Sequence, residues 1–241
     1  MAQRLFSGIF WLFVVVTSVL LFPLAVVLWA LTAPFGRRRV LLHQFTCFWA
    51  SLYTWLNPLW PVTVSGREHI ERGETYVMVA NHLSLLDILV LFRLFRHFTW
   101  VSKAENFRVP FVGWNMWLNN YIPLRRGDRE SVLVMLATAE KDLRDGISVM
   151  IFPEGTRSRD GQMRPFKSGA FELAVRTGSP VLPIAVAGTG DALPRRGVVL
   201  RGRHRIRLSV LPPISPDGLD PAQLSERART AIADQLALAA S

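Results

Sequence analysis

Residues 76–87 read Tyr-Val-Met-Val-Ala-Asn-His-Leu-Ser-Leu-Leu-Asp. Tyr76 to Ala80 is a short β-rich apolar run, and Leu85 to Leu94 has the length and apolar density of a buried helix. The polar residues between them make this stretch a strand that ends in a turn and enters a helix. The pattern repeats outward in both directions. Val62 to Val64, Ile147 to Phe152, Val181 to Val186 and Arg205 to Leu211 read as further strands. Glu130 to Arg144 carries Val132, Leu136, Ala139 and Leu143 as a helical stripe with Gly146 as its stop, and Gly169 to Arg176 ends at Thr177-Gly178. Pro221 to Ala240 is a closing helix with Leu224, Ala228, Ile232 and Leu236 on one face. Alternation of this kind predicts an α/β domain over residues 62–241, with a largely parallel sheet and flanking helices.

His82 and Asp87 lie at the strand–helix junction, where open α/β sheets bind ligands. Five residues on one regular helix turn through about 140°, which would part the two side chains. With His82 in the turn and Asp87 in the first turn of the helix, the carboxylate can point back to Nδ1–H and leave Nε2 to take a proton. An attacking hydroxyl borne by a substrate removes the need for a serine or cysteine nucleophile. Ser84-x-x-Asp87 is also a capping box, and that reading explains the same aspartate by closing the helix N-terminus. No Cys, His or carboxylate cluster has metal-ligand spacing, so neither metal nor cofactor is expected.

A second junction follows Ile147 to Phe152. Ile151 to Arg159 reads Ile-Phe-Pro-Glu-Gly-Thr-Arg-Ser-Arg. Gly155 permits close backbone approach, Thr156 and Ser158 offer hydroxyls, and Arg157 and Arg159 carry forks suited to phosphate. Glu154 either holds one of these cations, bonds a substrate hydroxyl, or is a turn residue. Asn119 to Arg126 ends another short run in paired arginines, Arg125 and Arg126.

Four blocks in order, Asn81-His82-x-Ser84-x-x-Asp87, Ile122-Pro123-Leu124-Arg125, Phe152-Pro153-Glu154-Gly155-Thr156-Arg157-Ser158 and Val181-Leu182-Pro183-Ile184, resemble those of the glycerolipid acyltransferases. The likeness runs from about Val64 to Gly188, takes in Ser102-Lys103-Ala104-Glu105 and Phe166-Lys167-x-Gly169, and is nearest to the bacterial 1-acyl-glycerol-3-phosphate type. Asn119 stands where a glycine is common in the family, and Arg126 is extra. The resemblance implies transfer of an acyl group from acyl-CoA or acyl-carrier protein to the free hydroxyl of lysophosphatidate, giving phosphatidate. It implies His82 as base, Asp87 as its orienting partner, and Glu154, Gly155, Thr156 and Arg157 in the acceptor site. Arg157 and Arg125 would bind phosphate, with Lys103 in the same positive pocket. It further implies a bacterial cytoplasmic membrane with the catalytic domain inside. A different lyso acceptor, such as a lyso-ornithine lipid or glycerol 3-phosphate, and a non-catalytic lipid-binding protein are the alternatives.

Half of the 241 residues are hydrophobic, and the first 61 hold a large share of them. Ile9 to Leu31 is apolar except for Thr17, Ser18 and Pro23, and as a helix it measures about 33 Å, enough for a hydrocarbon core of about 30 Å. Its length and the following Arg37-Arg38-Arg39 suit a retained anchor better than a cleaved signal. Val40 to Trp60 is also apolar but interrupted by His43, Gln44, Thr46, Ser51, Thr54 and Asn57. Residues 1–61 are therefore expected to form a membrane-associated helical hairpin turning at Pro34-Phe35-Gly36, with Trp29, Trp49, Trp55 and Trp60 as an interfacial belt or as ordinary packing.

The net charge of +10 attracts anionic lipid, anionic substrates or nucleic acid. The apolar N-terminus and the absence of a reader motif favour lipid and exclude nucleic acid. In Arg201 to Leu208, Arg201, Arg203, Arg205 and Arg207 alternate with smaller or apolar residues, so an extended chain puts them on one face. They would meet anionic lipid or donor phosphates there, or protect a solvated edge strand. Cys47 is alone, which forbids an intrachain disulfide, and its apolar surroundings make it an inert thiol.

Overall fold

The computed structural model describes residues 1–36, 38–158, 161–194 and 197–240, so Arg37 and Arg159 lie outside the described residues. Two helices, α1 (Ala2–Thr32) and α2 (Val40–Trp55), precede the sheet. Its strands are β1 (Val62–Ser65), β2 (Val77–Ala80), β3 (Phe98–Lys103), β4 (Ile122–Leu124), β5 (Ser148–Ile151), β6 (Val181–Ala187) and β7 (Ile206–Val210). They line up in the order β1-β7-β6-β2-β5-β3-β4, and every neighbouring pair is parallel except β6 with β7. Between strands run α3 (Leu86–Leu91), α4 (Val112–Leu118), α5 (Arg129–Arg144), α6 (Gly169–Thr177) and the single turn α7 (Thr189–Ala192), and α8 (Pro221–Ala240) closes the chain.

β2 lies at the centre and is buried on both faces. Met78 and Ala80 join one apolar cluster with Trp49, Tyr53 and Trp60, whereas Val77 and Val79 join the other with Ala139, Phe171, Leu224 and Ile232. This period-two division puts α2 and α3 on one side of the sheet and α5, α6 and α8 on the other. Helix starts are capped where the chain must turn sharply. Asp128 accepts from Ser131 N–H (3.1 Å) at the start of α5, and Asp220 accepts from Ala222 and Gln223 N–H (both 2.8 Å) ahead of Pro221 at the start of α8.

The hairpin forms. The Tyr53 hydroxyl joins its two helices, lying 2.9 Å from Thr17 Oγ1 and accepting from Trp49 Nε1 at 2.6 Å. Its halves differ in surroundings. α2 buries Leu42, Cys47, Trp49 and Ala50 against the α/β layer, whereas α1 exposes Leu5, Leu12, Leu20 and Leu31. α1 and the turn after it are the one described segment long and apolar enough to cross a membrane. The expected tryptophan belt divides with them: Trp29 and Trp55 are exposed, but Trp49 and Trp60 are core residues.

Three further expectations change. Arg205 to Leu211 is not an edge: β7 (Ile206–Val210) runs between β1 and β6, because long-range pairing rather than local pattern sets strand order. The helix expected over Leu85 to Leu94 ends as α3 at Leu91, tightens into a 3₁₀ turn over Phe92–Leu94 and stops at Phe95 with φ +52°. β3 and β4 were not anticipated; the first half of β3 is buried on both faces without alternation, and β4 has only three residues.

Candidate active site

The carboxyl ends of the parallel strands carry the site. After Ala80 the chain leaves β2, and Asn81 holds the turn: its amide donates to the Val186 carbonyl and accepts from Val186 N–H, both at 2.8 Å. The side chain thus stands in for the next residue of the strand ladder. His82 follows, 8 % exposed, with Nδ1 2.8 Å from Asp87 Oδ2. A carboxylate only accepts, so Nδ1 carries the proton. Nε2 makes no hydrogen bond among the described residues. The imidazole stacks on Phe152 with ring centroids 3.9 Å apart and planes 11° apart, which fixes the ring from the β5 side.

Asp87 is fully buried and saturated. Oδ2 accepts from Leu83 N–H (2.7 Å) and Ser84 N–H (2.9 Å) as well as from His82, and Oδ1 accepts from the Thr189 hydroxyl. Ser84 Oγ accepts from Leu86 N–H (3.2 Å) and donates to the Leu193 carbonyl (2.6 Å). One half of the capping box and the His–Asp pair therefore share an oxygen: Asp87 Oδ2 orients the imidazole and accepts from Ser84 N–H, whereas Ser84 Oγ meets Leu86 N–H rather than that of Asp87. An unpaired buried carboxylate would be costly, and four donors remove that cost.

The second motif backs the first. Gly155 N–H donates to the Phe152 carbonyl (3.0 Å), closing a turn with Pro153 at its first corner and Gly155 at φ +69°. Glu154, 3 % exposed, turns inward: Oε1 accepts from His82 N–H (2.7 Å) and Oε2 from Arg164 N–H (3.0 Å). Burial pushes its pKa up, against these two hydrogen bonds, which pull it down. Ser158 N–H donates to the His82 carbonyl (2.9 Å), so the two loops clasp His82 by both main-chain groups. Each Glu154 oxygen thus accepts from one backbone N–H, and among the described residues the side chain pairs with no cation.

The cations stand in strand order. Arg157 follows β5, beside β2, and forms no ion pair among the described residues. Lys103 ends β3 and pairs with Glu105 (3.1 Å), and Arg125 follows β4 and pairs with Asp128 (3.1 Å). At about 4.8 Å per strand, Arg125 starts about 14 Å from the line of β2, and Arg157 only about 5 Å. Thr156 is half-buried in the loop before Arg157. Lys167 was quoted in the sequence without a role, yet its side chain crosses Gly155 so closely that a Cβ there would lie 2.9 Å from Cε. Thr189 was missed altogether, and no local signal could find it: it lies 102 residues from Asp87. Among the described residues no group of three His, Cys, Asp or Glu side chains could hold a metal ion.

The acyltransferase family profile matches residues 61–187. The chain is 39 % identical over 202 residues to a 1-acyl-sn-glycerol-3-phosphate acyltransferase of Chlamydomonas reinhardtii, covering 83 % of this chain and 59 % of that protein. It is 35 % identical over 180 residues to one of Saccharomyces cerevisiae, covering 73 % and 58 %. The chain thus spans somewhat under two thirds of these relatives' length. The crystal structure of the 1-acyl-sn-glycerophosphate acyltransferase PlsC from Thermotoga maritima superposes with a TM-score of 0.80 at 23 % identity, over 99 % of this chain and 98 % of that one. With the profile covering more than half of its residues, this chain belongs to the acyltransferase family.

Proposed function

We propose that the protein transfers a fatty acyl group from a thioester donor to the free hydroxyl of 1-acyl-glycerol-3-phosphate, giving phosphatidate. The observation that carries this reading is His82, with Nδ1–H held by Asp87 and Nε2 left without a partner among the described residues. Nε2 takes the hydroxyl proton as the oxygen attacks the thioester carbonyl. The C–S bond breaks, and the departing thiolate takes the proton back from Nε2. A placed base of this kind is worth about 10²- to 10⁴-fold. The names of the relatives support the acceptor, and the cations support its phosphate. That phosphate lies only a few bonds from the reacting hydroxyl, so Arg157 is the best-placed cation. Lys103 and Lys167 flank it, and Arg125 stands outermost. Gly155 and Thr156 frame the pocket, and Glu154 acts as a positioning residue that holds the main chain of His82.

In this reading residues 1–61 set the enzyme on the membrane, with α1 lying in its plane. α1 is about 46 Å long, more than a hydrocarbon core, and both its ends lean on the α/β domain. Near its start Leu200 N–H donates to Ser7 Oγ (2.9 Å) and Trp11 Nε1 donates to the Val198 carbonyl (2.7 Å); beyond its end Arg38 donates to the Asp145 carbonyl. A helix fastened at both ends to a water-facing domain has its exposed leucines on one flank, as an interfacial helix requires. The thioester donor supports the cytoplasmic side of a bacterial inner membrane. Oriented-sample infrared dichroism should put the α1 axis near the bilayer plane; an axis along the normal overturns that placement.

The chemistry is tested by incubating purified protein with labelled acyl-CoA or acyl-carrier protein and a panel of lysophosphatidate, glycerol 3-phosphate and lyso-ornithine lipid, beside His82→Ala. Wild-type activity in the variant would sink the base assignment. Product from phosphate-free acceptors alone would remove the acceptor assignment and leave the transfer chemistry.

A further inference from the structure

The sheet order divides the cations at the carboxyl end into two groups, one on each side of β2. Arg157, Lys103 and Arg125 lie toward β4. Toward β1 lies the segment entering β7, Arg201-Gly202-Arg203-His204-Arg205. Here the expected alternation begins before the strand and runs on into β7: Arg201, Arg203, Arg205 and Arg207 are exposed, Gly202 and His204 half-buried and Ile206 buried. The inner edge is pinned by backbone, with Arg201 N–H on the Ala192 carbonyl (2.8 Å), His204 N–H on that of Leu59 (2.9 Å) and Ile206 N–H on that of Pro61 (2.9 Å). Arg207 turns away to the Ala239 carbonyl at the end of α8. The other three guanidinium groups meet no carboxylate among the described residues. At no more than about 3.3 Å per residue, with a bend at Gly202, they line at most about 13 Å of surface with like charge, which an anion would relieve.

This row adjoins the site. A Cβ on Gly188, at φ +84°, would lie 2.2 Å from the Arg205 carbonyl oxygen, so the two backbones touch. The next residue, Thr189, donates to Asp87, which orients His82.

We propose that Arg201, Arg203 and Arg205 receive the phosphate end of the acyl donor, a phosphopantetheine thioester carried by coenzyme A or by a carrier protein. The proposal rests on the acyl-transfer reading of His82. Two anionic substrates must meet at one imidazole, and they need cations at different distances. The acceptor phosphate is close to its reacting hydroxyl and suits Arg157, one strand from β2. The donor phosphate is separated from its thioester by the whole pantetheine arm and suits a row at the rim, on the opposite flank. Separate flanks also keep the two anions from competing for one pocket.

The test is Arg201→Gln/Arg203→Gln/Arg205→Gln in the full chain, assayed with acyl-CoA, acyl-carrier protein and phosphate-free acyl-pantetheine. With a phosphate-bearing donor, donor KM rises about tenfold or more, acceptor KM stays put, and the salt dependence of donor KM flattens. With acyl-pantetheine, variant and wild type have the same donor KM. A rise confined to coenzyme A or to carrier protein supports the row and identifies the source of the phosphate. Unchanged KM for both phosphate-bearing donors overturns the proposal, as does an equal rise with acyl-pantetheine. Weakened binding to phosphatidylglycerol vesicles at unchanged donor KM overturns it in favour of a lipid contact. Wild-type protein that transfers nothing from any donor overturns the acyl-transfer reading itself, a result distinct from every variant outcome.

Discussion

His82 and His43 are both buried imidazoles, and their surroundings send them in opposite directions. His43, in α2, is 1 % exposed and commits both nitrogens: Nε2 donates to the Arg96 carbonyl at 3.0 Å, and Nδ1 accepts from the Tyr121 hydroxyl at 2.9 Å. Among the described residues no carboxylate pairs with it, and the His97 ring stands 5.1 Å away. Burial first, and the neighbouring His97 second, push its pKa down to about 3. His82 is nearly as buried but has a saturated carboxylate behind it and an unbonded nitrogen in front. Burial alone makes a histidine neutral and structural. A carboxylate on one nitrogen and an empty place at the other make it able to accept a substrate's proton and hold the resulting charge.

The largest effect should come from removing the charge behind His82 while keeping its shape. In Asp87→Asn the amide oxygen can still accept from Leu83 and Ser84 N–H, and the Thr189 hydroxyl can turn to accept from the amide. The imidazolium, however, loses its counter-charge. We expect kcat to fall by about 10²- to 10⁴-fold with thermal unfolding near wild type. Near-normal kcat in a folded variant would erase the distinction between the two histidines.

This distinction was only half legible in the sequence. Asn81 to Asp87 is local, so a strand ending in a turn placed His82 and Asp87 within reach, and their pairing is found together with one half of the capping box, the Ser84 N–H bond to Asp87. His43 read only as a polar interruption of an apolar stretch, because Tyr121 and Arg96 reach it from 78 and 53 residues away. Thr189 was invisible for the same reason. Glu154 sat in a recognisable block, yet side-chain type alone could not show that both its oxygens accept from backbone N–H. β3 and β4 were hidden by the loss of alternation in a buried strand and by brevity, and with them the lateral order of the cations.

The pH response of stability sharpens the comparison from the other side. The folded pKa of His43, about 3, lies below its ordinary value of 6.5. Between those values the unfolded chain binds a proton that the native state excludes, so stability is lost as pH falls from about 6.5 toward 3. By pH 5 this amounts to about 2 kcal/mol. His97, lowered to about 4, acts in the same sense. His43→Gln keeps one donor and one acceptor but does not titrate. Denaturant unfolding at pH 7 and pH 5 should show the wild type losing about 2 kcal/mol more than the variant, with kcat at pH 7 retained. Equal losses would mean that His43 is not the excluded proton site.

The smallest effect is the most selective. Thr189 is fully buried and supplies the only hydrogen bond that Asp87 Oδ1, the oxygen that does not touch His82, accepts among the described residues. Thr189→Val keeps the volume and removes the hydroxyl, leaving that oxygen without its donor. The carboxylate is then free to rotate about its remaining bonds, and His82 loses alignment rather than charge. The expected fall in kcat is about tenfold, or about 1.4 kcal/mol, at the low end for one hydrogen bond to a charged group. KM for donor and acceptor should stay at wild-type values, since Thr189 meets neither, and Thr189→Ser should restore kcat. If valine raises KM instead, or serine fails to rescue, Thr189 packs the turn without positioning Asp87. The difference between a catalytic and a structural histidine would then lie in the carboxylate alone, irrespective of what holds it still.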